Sequence, residues 1–209
     1  VARPKDQTKR RDQLVAATAS AVLTHGSTAM RLADIAEEAG VHSASVLYYY
    51  PDVQELFAEV FAKGSAQYAE QRESQVARAR TSRERLEACI SSGIPWPGAP
   101  EEASRILYEL IPVVLRHAKA AEQYERFVDR QAALYERILD EGQRSGDFRL
   151  VLPAPVLARS FVALEDGYGV SVLTGTMSAE QEKEWLLQYA RTVAPGARDD
   201  AGSADFTGS

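Results

Sequence analysis

Apolar residues in this chain recur every three to four positions from end to end, the period of helices that bury one face. Val15, Ala19, Val22 and Leu23 form the first such stripe, and Gly26 follows where a left-handed residue ends a helix. A short helix from about Leu32 to Ala39 stops at Gly40, and another runs from about Ser43 to Tyr50. Asp52, with Glu55 three residues on, is placed to cap a long helix carrying Leu56, Val60 and Phe61 and reaching about Arg80. Thr81 and Glu84 repeat that signal ahead of Leu86, Cys89 and Ile90. The segment 92–100 holds prolines 95, 97 and 100 and reads as a loop. Ile106, Leu107, Leu110, Ile111, Val114 and Leu115 mark the next helix, with Pro112 predicting a bend near Tyr108. An amphipathic helix from Ala121 to about Arg144 is followed by a turn between Gly146 and Pro153. Two helices close the pattern, about Ala154–Leu173 and Ala179–Val193, the second capped by Ser178 with Gln181. No useful run alternates as a strand would, so the predicted fold is all-α with about nine helices.

Composition narrows the class. Of 209 residues, 45% are hydrophobic and 26% charged, a globular balance. The single cysteine, Cys89, excludes an intramolecular disulfide, and with three scattered histidines it leaves no metal-ligand cluster. No apolar run approaches the roughly 18 residues that a membrane span needs. The basic, polar start does not read as a secretory signal, and the expected address is the cytosol. The formal net charge is −6, which argues against nucleic acid as a partner. The charge is uneven, however. Arg3, Lys5, Lys9, Arg10 and Arg11 stand against Asp6 in the first eleven residues, while the chain from Pro51 onward is acidic. A basic front on an acidic body suggests that the front alone meets a polyanion; a solubilising tail is the other reading.

Residues 32–50 read LADIAEEAGVHSASVLYYY and carry the most information. A helix-turn-helix needs a small residue where two helices touch, a glycine at the turn and apolar residues that lock the crossing. Ala36, Gly40, Val41 and Val46 fill those roles at the required spacing. A helical hairpin inside a core is the alternative.

These residues resemble the tetracycline-repressor (TetR) family of one-component regulators, most closely from Gln13 to Phe61. The shared pattern is Gly26, Asp34-Ile35-Ala36, Ala39-Gly40-Val41, Tyr48-Tyr49-Tyr50, then Asp52 and Leu56. Three positions depart from it: Tyr50 stands where phenylalanine is usual, His42 where serine is common, and Val53 where a phosphate-contacting lysine is common. The resemblance implies a DNA-binding domain over residues 1–51, a helical ligand-binding and dimerisation domain over 52–194, and a disordered tail over 195–209.

With the second short helix in a major groove, His42, Ser43, Ala44, Ser45, Leu47, Tyr48 and Tyr49 are the candidate contacts. None can read a base with a bidentate fork. Arg31 is a further candidate, and an arm carrying Lys9, Arg10 and Arg11 is expected to follow phosphates or enter the minor groove. Tight binding requires two such helices on a near-palindromic operator, hence a homodimer. The candidate pairing residues are Leu157, Phe161, Leu164, Gly167, Tyr168, Leu186 and Tyr189, any of which can equally be intramolecular core. By resemblance, Tyr68, Trp96, Tyr108, His117, Phe127, Phe161 and Glu165 line a chamber for a largely apolar small-molecule effector, with packing as the competing role. No cofactor motif appears. Adjacent Glu165 and Asp166 point about 100° apart on a helix and cannot act as a facing pair, and no nucleophile stands beside a base. The expected function is therefore a ligand-responsive repressor and not an enzyme, with a helical ligand- or partner-binding protein lacking DNA binding as the alternative.

Overall fold

The computed structural model describes residues 4–196, with side chains from residue 7. They form ten helical segments: α1 (Pro4–His25), α2 (Leu32–Glu38), α3 (Ser43–Tyr49), α4 (Val53–Arg78), α5 (Ser82–Gly93), α6 (Ala99–Glu109), α7 (Ile111–Val114), α8 (Ala118–Ser145), α9 (Ala154–Leu173) and α10 (Ala179–Val193). The all-α expectation holds, and the count exceeds nine because one expected helix is broken in two. Pro112 lies in the first turn of α7, where a missing N–H is harmless, and the break falls at Leu110. The predicted loop 92–100 is shorter than expected: Ser92 and Gly93 finish α5, while Ala99 and Pro100 open α6.

Local chemistry accounts for the helix ends. The Thr81 hydroxyl accepts from the Glu84 amide at 3.2 Å and the Glu84 carboxylate accepts from the Thr81 amide at 3.2 Å, a reciprocal cap. Ser178 caps α10 by accepting from the Gln181 amide at 3.1 Å. Asp52 does the same for α4 through the Gln54 amide at 2.9 Å. The tail expected from 195 onward begins in ordered backbone: the Arg149 amide donates to the Pro195 carbonyl at 3.0 Å, and Phe148 bridges to Gly196. The rest of that tail, together with Arg3 and the Lys5 side chain of the expected arm, lies outside the described residues.

The chain divides into two compact units. One takes in the residues up to Tyr68 together with Gly98–Phe127. Its core gathers Leu14 and Val22 of α1, Ile35 and Ala36 of α2, Val46 of α3, Leu56 and Phe61 of α4, and Leu110. The other takes in Ala69–Pro97 and the chain from Val128, around Leu86, Ile90, Ile138, Leu157, Phe161 and Leu186. The boundary expected at residue 51 does not coincide with this division. Helix α4 has 26 residues, and its start packs in the first core while Val76, near its end, packs in the second. A helix that long serves two cores, so the units part inside it.

Candidate nucleic-acid interface

The first unit builds its exposed helix from the turn outward. Gly40 has φ +62°, a conformation that costs glycine nothing and other residues about 1–2 kcal/mol. This lets the Val41 amide reach back to the Ala36 carbonyl at 2.9 Å. Ile35, Ala36, Ala39 and Val46 are all buried, so the crossing of α2 and α3 is locked by small and branched apolar side chains. From α1, Gln13 donates to the Ala39 carbonyl at 2.9 Å and ties the turn down. The hairpin alternative also buries such a crossing, but it would bury both faces of α3. Here one face stays open: Leu47 is 42% and Tyr48 73% exposed, with His42 and Ala44 exposed beside them.

The three tyrosines divide the work. Tyr50 is in the core, and its hydroxyl donates to Glu59 at 2.7 Å. Burial, then that carboxylate, pushes its pKa well up. Tyr49 is half-buried and meets Tyr48 edge-to-face, with ring centres 5.1 Å apart. Ser43 and Ser45 are also half-buried. Arg10, Val41, Ala44, Ser45, Tyr48 and Tyr49 together line an open cleft of about 370 Å³.

The expected arm is largely helical. Lys9, Arg10 and Arg11 lie on α1, which begins at Pro4, so they are helical and not extended. Arg11 is engaged inside the unit. It donates to the Tyr49 carbonyl at 3.1 Å, stands 4.8 Å from the Tyr50 ring centre and lies 3.9 Å from Glu59. These contacts tie α1 to the end of α3. Arg10 donates to Gln13 at 2.7 Å and faces the cleft, and Lys9 is exposed. Arg31 is also occupied, folded onto Asp34 at 3.1 Å at the start of α2. Those hydrogen bonds hold the Asp34 carboxylate below its usual pKa.

The expected ligand residues are divided between the two units. Tyr68 and Phe127 meet edge-to-face at 5.8 Å in the first unit, joined by Phe61 at 6.1 Å from Phe127, a partner that periodicity had marked only as core. Tyr108 and His117 are half-buried in that unit, and His117 Nδ1 is buried without a hydrogen-bond partner. Trp96, Phe161 and Glu165 belong to the second unit. Trp96 donates to the Ser91 carbonyl at 2.9 Å, and Phe161 stacks on Tyr135 at 4.7 Å. Glu165 is not an open anchor. Arg72 grips both its oxygens, at 2.8 and 3.0 Å, and Tyr135 donates to it at 2.5 Å. Arg72 also donates to Gln131 at 2.8 Å and to the Cys89 carbonyl at 2.9 Å. Burial pushes the adjacent Cys89 thiol up to about 12.

Three of the expected pairing residues lie inside the chain. Leu157, Phe161 and Leu186 are wholly buried within the chain, in the core to which α5, α8, α9 and α10 all contribute. Leu164, Tyr168 and Tyr189 are partly covered, and Gly167 is exposed. The open side of α9 instead runs Val156, Ala163, Gly167 and Val170, and Trp185 of α10 is exposed.

No family model matches the sequence, and no curated protein matches it. Solved structures do. A transcriptional regulator from Saccharomonospora viridis in complex with choline superposes with TM-score 0.82 at 22% identity, over 90% of this chain and 98% of that one. A TetR-family regulator from Rhodococcus sp. gives 0.76 at 22%, over 88% and 98%. The chain has the fold of the TetR regulators. FadR from Bacillus subtilis in complex with stearoyl-CoA superposes at 0.64 with 17% identity, over 83% of this chain and 96% of that one.

Proposed function

We propose that this chain is a homodimeric, ligand-responsive transcriptional repressor whose α3 enters the major groove of a near-palindromic operator. The observation that carries the reading is the open face of α3. An all-apolar crossing and a glycine turn hold a seven-residue helix so that His42, Ala44, Leu47 and Tyr48 point outward, with Arg10 and Lys9 on the neighbouring α1. In this reading residues 1–51 contact DNA, with Ser43, Ser45, Tyr48 and Tyr49 supplying hydroxyls to base edges or phosphates and Arg31 exchanging Asp34 for a phosphate. Residues 52–194 bind the effector and pair the protomers. The Val156–Val170 side of α9 is suited to pairing, since Ala163 and Gly167 allow two backbones to approach closely. The S. viridis and B. subtilis structures hold choline and stearoyl-CoA respectively, and this chain takes a largely apolar small molecule beside Tyr68, Tyr108, His117 and Phe127. No described helix is long and apolar enough to cross a membrane, which accords with a cytoplasmic regulator.

The test is selection of duplexes from a random pool by the full-length chain, followed by fluorescence anisotropy across a salt series. A regulator enriches a two-fold symmetric site and loses affinity steeply with salt. Tyr48→Ala combined with Ser45→Ala should weaken binding at least tenfold with melting unchanged, because neither side chain is in the core. Enrichment of no sequence would leave a ligand- or partner-binding protein without DNA binding.

A further inference from the structure

Resting on the placement of α3 in the major groove, we propose that this chain reads its operator chiefly by packing Ala44, Leu47 and Tyr48 against thymine methyl groups. Ala44, Leu47 and Tyr48 stand at i, i+3 and i+4, which places them on one helical face. All three are exposed, so the chain's own folding gains little from them and a partner surface gains more.

Beside the exposed His42 and Lys9, the other routes to base reading are weakened by what the side chains are or by what already holds them. Fork contacts to guanine or adenine need Arg, Lys, Asn or Gln, and residues 42–49 contain none. Among the nearby cations, Arg11 is fixed to the end of α3, Arg31 is folded onto Asp34, and Arg10 is bonded to Gln13. Ser43 and Ser45 are half-buried, and a single hydroxyl both donates and accepts, so it discriminates poorly among bases. Among the four bases only thymine offers an apolar group in the major groove, its C5-methyl. The spacing also constrains the site. Ala44 and Leu47 are about 4.5 Å apart along the helix axis, a little more than the roughly 3.4 Å between stacked bases. Methyl groups on neighbouring base pairs therefore lie within the combined reach of the three side chains.

Uracil removes that methyl and leaves the Watson–Crick pairing and every phosphate in place, which makes it the probe. In the selected operator, thymines are replaced by uracil one at a time, and affinities are measured for the full-length chain and for Leu47→Ala. At about 0.8 kcal/mol per buried methyl-sized group, each critical replacement should cost about fourfold. Uracil elsewhere in the same duplex should cost nothing. Leu47→Ala should lose a similar factor on the thymine operator and become indifferent to uracil at the position that Leu47 contacts, with its salt slope unchanged. Selective, salt-dependent binding that ignores uracil at every position would overturn the methyl reading while leaving DNA binding intact. Enrichment of no sequence would overturn DNA binding, and the methyl reading with it.

Discussion

The two compact units solve the burial of polar groups differently. In the first, apart from the Tyr50 hydroxyl bonded to Glu59, the buried polar side chains among the described residues are Thr18, Ser65 and Ser104. Thr18 donates to the Leu14 carbonyl at 2.7 Å and Ser65 to the Ala62 carbonyl at 3.2 Å, each on its own helix. Such bonds are satisfied as soon as the helix forms and ask nothing of the rest of the fold. In the second, Arg72, Ser82, Gln131, Glu165 and Glu182 are buried. Arg72 alone joins α4 to the Cys89 carbonyl of α5, to Gln131 of α8 and to Glu165 of α9. Gly93 makes room for the pair, since a Cβ there would lie 2.4 Å from Glu165 Oε1. Those bonds exist only when four helices are assembled. The first unit is therefore secured by apolar packing that shows in the sequence pattern, and the second adds a charged hub that must be completed or removed as a whole.

Removing one half of the hub should have the largest effect. Arg72→Met leaves the Glu165 carboxylate buried and uncompensated, a loss of about 3–5 kcal/mol. Chemical denaturation followed by tryptophan fluorescence measures it, because Trp96 and Trp185 both lie in the second unit. Adding Glu165→Leu to that variant should restore most of the loss; failure to do so would mean that Arg72 acts through packing instead.

A pH dependence comes next. Both Glu182 oxygens are buried without a hydrogen-bond partner, and burial, then the field of Glu165, raises the carboxyl from its usual 4.5 to about 8. Between those values the folded chain holds a proton that the unfolded chain releases. The contribution to stability is thus fully present below about pH 4.5 and lost as pH rises through about 8. Glu182→Gln should flatten the melting temperature against pH and melt several degrees above the parent near pH 9. Equal slopes for the two proteins would remove Glu182 from the account.

The smallest effect belongs to the first unit. Thr18→Val removes a hydroxyl bonded within its own helix and should change stability by no more than about 1 kcal/mol at any pH. A loss approaching that of Arg72→Met would erase the contrast between the units.

What could be read from residue order follows the same division. The helix-turn-helix was legible because each of its requirements is local: Gly40 for the positive φ, Ala36 for the contact, Val41 and Val46 for the crossing. The helical state of Lys9, Arg10 and Arg11 was missed because charge alone suggested a free arm, whereas Pro4 suits a first helical turn and the Lys, Gln and Arg residues after it are good helix formers. The hub was missed because Arg72 and Glu165 are 93 residues apart. A signal did exist. Glu165 stands four residues from Phe161 and eight from Leu157, both buried, and Glu182 stands four before buried Leu186. A charge on the apolar face of a helix is a buried charge, and it needs either a partner or a proton.

The sequence by itself determined the all-α class, the caps at Thr81 and Ser178, and the turn that presents α3, since these depend on residues within a few positions of one another. Only the tertiary structure decided which tyrosine is core, which arginines are engaged, where the units part within α4 and which side of α9 is left open. Those outcomes depend on distant helices meeting, and periodicity records that a face is buried without naming what covers it.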